Sequence, residues 1–185
     1  MFEITADNLA EHLPGAPGLA AGPVHVEALG WGVSNAVFRV TTPERRFVVK
    51  QSRPQLRTRE AWFSNIDRVF REAEVMRLLG PLLPPLTVPE VLFEDRANYL
   101  FGMSHAPLDA VVWKESLLAG EVRPEVASHA GEVLGLIHQR TANRPELVER
   151  FGERTAFVQL RVEPFYERIR ERHPEIADAI TPLIE

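Results

Sequence analysis

Apolar and polar positions alternate along the early part of the chain, then settle into helical spacing further on. Val24, Val26 and Ala28 alternate with polar neighbours and predict a first strand. Gly30-Trp31-Gly32-Val33-Ser34-Asn35 interrupts the alternation as a turn. Ala36 to Thr42 resumes it as a second strand, Pro43-Glu44 turns the chain, and Arg46 to Gln51 forms a third, giving an antiparallel meander. Ahead of the meander, residues 4–13 predict a short helix beginning near Thr5 or Asp7, with Pro14 beyond its end. Pro14-Gly15-Ala16-Pro17-Gly18 and Ala21-Gly22-Pro23 predict a loop.

Residues 52–63 are polar and arginine-rich without a clear period, which predicts a mobile loop. Ser64 stands as an N-cap, with Asp67 three residues on imitating a capping box. Ile66, Val69, Phe70, Ala73, Met76 and Leu79 keep helical spacing until Gly80-Pro81 stops it. Val88 to Phe93 and Tyr99 to Met103 predict two more strands around a polar turn at 94–98. After Pro107 the pattern is helical. One helix is predicted over 109–119, and a longer one opens at Pro124 with Val126, Ala130, Val133, Leu134 and Ile137 on one face. Two further helices, 164–172 and 174–184, each begin at a proline. A strand-rich half followed by a helical half predicts an α+β chain with two lobes that meet near residues 104–107.

Composition narrows the classes. At 185 residues and 45% hydrophobic, the chain can build a core and is not expected to be disordered. Its net charge of −5, with Lys and Arg scattered, argues against nucleic acid as a partner. The absence of cysteine excludes disulfides and thiolate metal sites, and a reducing cytoplasm is compatible with it. No basic leader is visible and no run of about 18 apolar residues occurs, so no membrane span is expected. The six histidines, at 12, 25, 105, 129, 138 and 173, lack metal-ligand spacing. Oligomeric state cannot be read from the pattern.

Two places carry candidate chemistry. Gly30 and Gly32 let backbone N–H groups come close to phosphate oxygens, and Ser34 and Asn35 add donors. Two glycines before a strand also make an ordinary turn. Lys50 ends the apolar run Phe47-Val48-Val49, and a lysine facing a lobe interface needs an anionic partner. Glu72 and Glu74 on the following helix are available, Glu72 lying toward the inward side. The alternative is a solvated lysine at a strand end.

Turn, strand, lysine strand, helix glutamate, two strands and helices follow one another in the order of the protein-kinase-like N-lobe. The run Val49-Lys50-Gln51, Pro54, Arg57, Trp62, Asp67-Arg68, Glu72-Ala73-Glu74 is similar to the methylthioribose kinase pattern around its nucleotide lysine. One residue fewer separates Arg57 from Trp62. Val88-Pro89-Glu90-Val91-Leu92, Met103-Ser104-His105-Ala106 and Gly135-Leu136-Ile137-His138 resemble segments of aminoglycoside phosphotransferases.

The resemblance implies a kinase-like N-lobe over 1–103, with a five-stranded antiparallel sheet and one helix. A linker at 104–107 and a partial helical C-lobe over 108–185 follow. It implies ATP and Mg2+ as cofactors and a small-molecule hydroxyl, such as a sugar or aminoglycoside-like compound, as acceptor. Gly30, Gly32, Ser34 and Asn35 would cover the phosphates, and Lys50, oriented by Glu72, would contact them. The backbone at Ser104 and Ala106 would hold adenine. Val48, Val88 and Leu100 or Met103 would sandwich the base.

Phosphoryl transfer in this family also uses a catalytic-loop aspartate followed five residues later by asparagine, and a second metal-binding aspartate. Asp7, Asp67, Asp95, Asp109 and Asp178 are the aspartates here, and none has that asparagine. No His-Gly-Asp or Asp-Phe-Gly-like segment occurs, and the sequence stops at Pro182-Leu183-Ile184-Glu185 inside a helical pattern. These residues therefore predict an incomplete copy that binds nucleotide weakly if at all and transfers no phosphate. A non-catalytic nucleotide-binding or regulatory module is the competing expectation.

Overall fold

A computed structural model describes residues 1–12, 23–30 and 32–184. The loop expected at 14–18 and 21–22, Trp31 and Glu185 lie outside the described residues. Five strands form one antiparallel sheet: β1 (His25–Ala28), β2 (Asn35–Thr41), β3 (Arg46–Ser52), β4 (Val91–Asp95) and β5 (Leu100–Ser104). Their order is β1-β2-β3-β5-β4, so β3 is central and pairs with β2 on one side and β5 on the other.

Both faces of the sheet are covered. On one face, Phe38, Val40, Phe47, Val49 and Leu100 pack with Ile4 and Leu9 of the N-terminal segment, which contains the short helix α1 (Leu9–His12). Gly102 admits the ring of Phe93 here, since any Cβ at Gly102 would overlap that ring. Gln51 is 2% exposed in this layer, yet all its polar atoms are engaged. Its Nε2 donates to the carbonyls of Phe2 (2.8 Å) and Asn98 (2.9 Å), and its Oε1 accepts from the Ile4 N–H (2.9 Å). The N-terminal segment is thus fixed by one buried amide as well as by apolar contact.

The second face carries α2 (Arg68–Leu79). Its residues Val69, Phe70 and Ala73 pack on Phe101, with Met76, Val91, Tyr99 and Met103 around them. Burying each of the large side chains is worth about 1.5–3 kcal/mol. The helix starts later than the Ser64 cap predicts: Asp67 stands at its N-cap without a side-chain cap bond. Ser64 is buried, its N–H donating to the Pro54 carbonyl (3.2 Å) and its own carbonyl receiving the Arg68 side chain. That carbonyl serves a guanidinium where a helix begun at Ser64 would use a backbone amide.

The fourth strand also starts later than the apolar run, at Val91. Pro89 has no N–H for a ladder, and a register irregularity separates Val91 from Phe93. Glu90 is held instead by Ser104, whose Oγ accepts from the Glu90 N–H (2.9 Å) and whose N–H donates to the Glu90 carbonyl (2.8 Å).

The second half is helical: α3 (Trp113–Leu118), α4 (Pro124–Thr141), α5 (Pro145–Phe151), α6 (Thr155–Phe157), a π-helix (Val158–Glu167), α7 (Arg168–Arg172), a 3-10 turn (Pro174–Ile176) and α8 (Ala177–Ile184). Pro164 does not open a helix as expected but sits inside the wider π winding. Pro124 opens α4 as its position predicts. No residue of α4 is buried, and Leu134 on its expected inner face is 53% exposed. No described helix is long and apolar enough to cross a membrane.

Candidate functional site

Lys50 lies near the C-terminal end of β3, opposite Val37 of β2 and Phe101 of β5. Residues facing each other in a ladder share a sheet face, so Lys50 emerges on the face that carries α2. Glu72, one turn into that helix, receives its ammonium: Nζ stands 2.6 Å from Oε1 and 2.7 Å from Oε2. The lysine side chain is 17% exposed and the glutamate 36%. The glutamate end is open to water, which limits what the pair adds to stability. Its consequence is positional, because a long flexible cation is held at one spot beside the sheet.

The glycine turn leaves β1 and enters β2, closed by the Leu29 N–H on the Val37 carbonyl (2.8 Å). The two glycines differ. A Cβ at Gly32 would run into the backbone carbonyl of Asn35, whereas a Cβ at Gly30 meets nothing within 4 Å. Ser34 and Asn35 bond to each other, Asn35 Nδ2 donating to Ser34 Oγ (3.1 Å). Turn carbonyls accept from the loop after β3: Val33 from the Arg57 N–H (3.0 Å) and Ser34 from the Arg53 N–H (3.1 Å).

That loop, expected to be mobile, is tied at several points. Besides those two bonds, Leu56 is buried and donates its N–H to the Trp62 carbonyl (2.8 Å), and Gln55 bridges Phe63. Trp62 Nε1 donates to the Gln159 carbonyl (2.8 Å), and its ring meets Phe165 edge-on at 6.4 Å. Polar composition signals exposure here and not looseness.

Arg68, at the start of α2, joins these parts. Its Nη1 donates to the carbonyls of Ser64 (3.3 Å) and Asn65 (2.8 Å), and its Nη2 to those of Arg53 (3.0 Å) and Ser34 (2.5 Å). Burial pushes its pKa down from the ordinary arginine value, and the charge of Glu72, four residues on, pulls the other way.

Of the residues proposed to hold a base, Val48 and Met103 face each other in the ladder on the Lys50 side. Leu100 faces Gln51 instead and is wholly buried in the N-terminal core, so it is not a base-contacting residue. The strand period puts neighbours on opposite faces, and Leu100 is one step from Phe101. Val88 is half-buried ahead of β4.

The structure therefore brings Lys50 and Glu72 together and groups the other candidates separately. Gly30, Gly32 and Asn35 line a small cleft with Glu3, Thr5 and Arg57. Ala106 lines another with Thr41 to Arg46 and His105. Ser104 is engaged with Glu90. Among the described residues no group of three or more His, Asp or Glu side chains is placed to hold a metal ion.

Gln51 and Arg68 both stand in the methylthioribose-kinase-like run, but no role for either followed from it. Gln51 carried a signal, a polar side chain on the strand face of Phe47 and Val49, four and two residues before it. Arg68 carried a signal only through that run, since a cation in the first turn of a helix is ordinarily disfavoured and solvated.

Residues 25–183 match the pattern of the APH family, described as the phosphotransferase enzyme family. Methylthioribose kinase 2 of Oryza sativa subsp. japonica is 28% identical over 134 residues, covering 69% of this chain and 31% of the rice protein. Methylthioribose kinase of Exiguobacterium sibiricum is 29% identical over 60% of this chain and 28% of its own length. That of Yersinia pseudotuberculosis is 32% identical with the same coverage. The chain thus spans under a third of the length of these relatives.

Proposed function

Because the chain belongs to the phosphotransferase enzyme family, we propose that residues 1–103 are the nucleotide-binding lobe of an ATP-dependent small-molecule kinase. Residues 104–107 are then the linker, and 108–185 the start of the helical lobe. The observation that carries this reading is the Lys50–Glu72 pair, held between the sheet and α2. ATP supplies the transferable phosphoryl group when bound. Glycine at position 32 is required by the tightness of the turn itself, since a Cβ there would overlap the Asn35 carbonyl.

In this reading the Lys50 ammonium pairs with phosphate oxygens while Glu72 keeps it from swinging into water. Backbone N–H groups of Gly30, Gly32, Ser34 and Asn35 lie over the phosphates. The Ser104 carbonyl and Ala106 N–H take the adenine edge, with Val48 and Met103 against its face. Among the described residues no cluster of carboxylates is placed to hold magnesium. The acceptor is a hydroxyl of a sugar or sugar-like compound, an inference that rests on the names of the relatives. The working compartment is the cytoplasm.

A second reading keeps the nucleotide lobe without transfer. Within residues 1–185 none of the five aspartates has an asparagine five residues later, so these residues alone bring the nucleotide site and no catalytic loop. Calorimetry of ATP–Mg2+ on the chain and on Lys50→Ala tests the nucleotide site common to both readings. Equal affinity in the two proteins would overturn it. An ADP-release assay with sugar acceptors then separates kinase from binding module.

A further inference from the structure

Arg68 is placed against local preference. It carries a positive charge in the first turn of α2, where the helix dipole disfavours a cation, and it is partly desolvated. Among the described residues its guanidinium makes no hydrogen bond to a carboxylate. All four of its acceptors are backbone carbonyls, at Ser34, Arg53, Ser64 and Asn65. Local rules broken in this way concentrate at functional sites.

The arrangement has a geometric meaning. Asn35 and Ser52 are the last register partners of β2 and β3, and the Arg53 N–H extends that ladder by one bond to the Ser34 carbonyl. Beyond it the two chains part, one into the glycine turn and one into the loop. Nη2 of Arg68 takes both the Ser34 and the Arg53 carbonyl and so closes the ladder where it would fray. Nη1 fastens the same group to Ser64 and Asn65, at the foot of α2. Glu72 sits one helical turn further along.

We propose that Arg68 is a positioning residue that locks the glycine turn to the helix carrying Glu72, so that turn and lysine pair present one fixed geometry. Its role toward nucleotide rests on the function proposed above, but its role in holding the turn does not. A planar fork with five donors can serve four carbonyls at once, and a lysine cannot.

Amide hydrogen exchange on the full chain, comparing the parent with Arg68→Met and Arg68→Lys, tests the lock. In Arg68→Met the amides of residues 32–36, Arg53 and Arg57 exchange about tenfold faster or more, the scale of one lost charge-assisted hydrogen bond. Those of Val49 and Gly102 keep their rates. Arg68→Lys recovers at most part of the protection. Unchanged exchange at the turn overturns the proposal, as does a uniform rise across the whole sheet, which would make Arg68 a general strut. ATP–Mg2+ titration of the same proteins reads the nucleotide role separately. If the parent binds no ATP, the proposed function fails while the exchange result still decides the lock.

Discussion

Val37 and Lys50 stand directly opposite one another in the β2–β3 ladder. The strand that leaves the glycine turn is therefore the strand against which the lysine is registered, and a one-residue slip would send Lys50 to the buried N-terminal face. The turn and the ammonium are parts of one ladder, and substitutions at either should be felt at the other.

Lys50→Ala should weaken ATP–Mg2+ binding by about 10- to 100-fold, the loss of one or two charge-assisted hydrogen bonds. Its melting temperature should barely move, because the Lys50–Glu72 pair is partly exposed. Glu72→Gln should weaken binding less, since the lysine remains but is no longer held. Calorimetry and thermal melts on the same samples check both statements.

Gly32→Ala should destabilise the chain by about 1–3 kcal/mol, the usual cost of forcing a group into filled space. Gly30→Ala should be close to neutral, since nothing lies within 4 Å of the added methyl. Equal melting temperatures for the two variants would contradict the turn geometry.

The contrast between these glycines shows what sequence alone conveys. The pattern located the turn, the five-strand sheet, the helix after the lysine strand, and the pairing of Lys50 with Glu72. The turn, the strands and the helix follow from periodicity, while their union in one sheet and the settling on Glu72 for Lys50 came with the family resemblance. It did not distinguish Gly30 from Gly32, because only three-dimensional proximity to Asn35 does so. It left Leu100 and Met103 as alternatives against the base, and only the position along β5 decides which face each takes. Ser64 read as a helix cap, and a guanidinium four residues later claims the carbonyl that such a helix would need. In each case a contact between distant segments overrides a local preference.

Gln51→Leu keeps side-chain volume but leaves the Ile4 N–H and the Phe2 and Asn98 carbonyls without their partner. Each buried group so orphaned costs about 1–3 kcal/mol. The N-terminal segment should loosen first, with cleavage before residue 12 appearing in limited proteolysis at concentrations that spare the parent chain. Intact protection of that segment would refute the role given to Gln51.

Acid should reach the helical half through Glu153. Hydrogen bonds from Thr155, first its side chain and then its backbone N–H, hold the Glu153 carboxyl below the usual carboxylate range, with the charge of Arg71 adding to them. A carboxyl depressed on folding contributes stability that is complete above its unfolded-state pKa and is lost as pH falls through its folded value. Glu153→Gln should therefore lower the melting temperature near neutrality and make no difference in strong acid. A constant offset at all pH values would rule this out.

The order β1-β2-β3-β5-β4 also sets a sequence of events in time. The β1–β2–β3 meander joins neighbours in the chain, and so does the β4–β5 hairpin. Only the β3–β5 seam brings together strands separated by α2 and β4, and such long closures form after local ones. Lys50 lies on that seam. During synthesis and refolding its strand remains an open edge until the hairpin docks. The chain is then most exposed to wrong strand pairing beside its candidate nucleotide lysine.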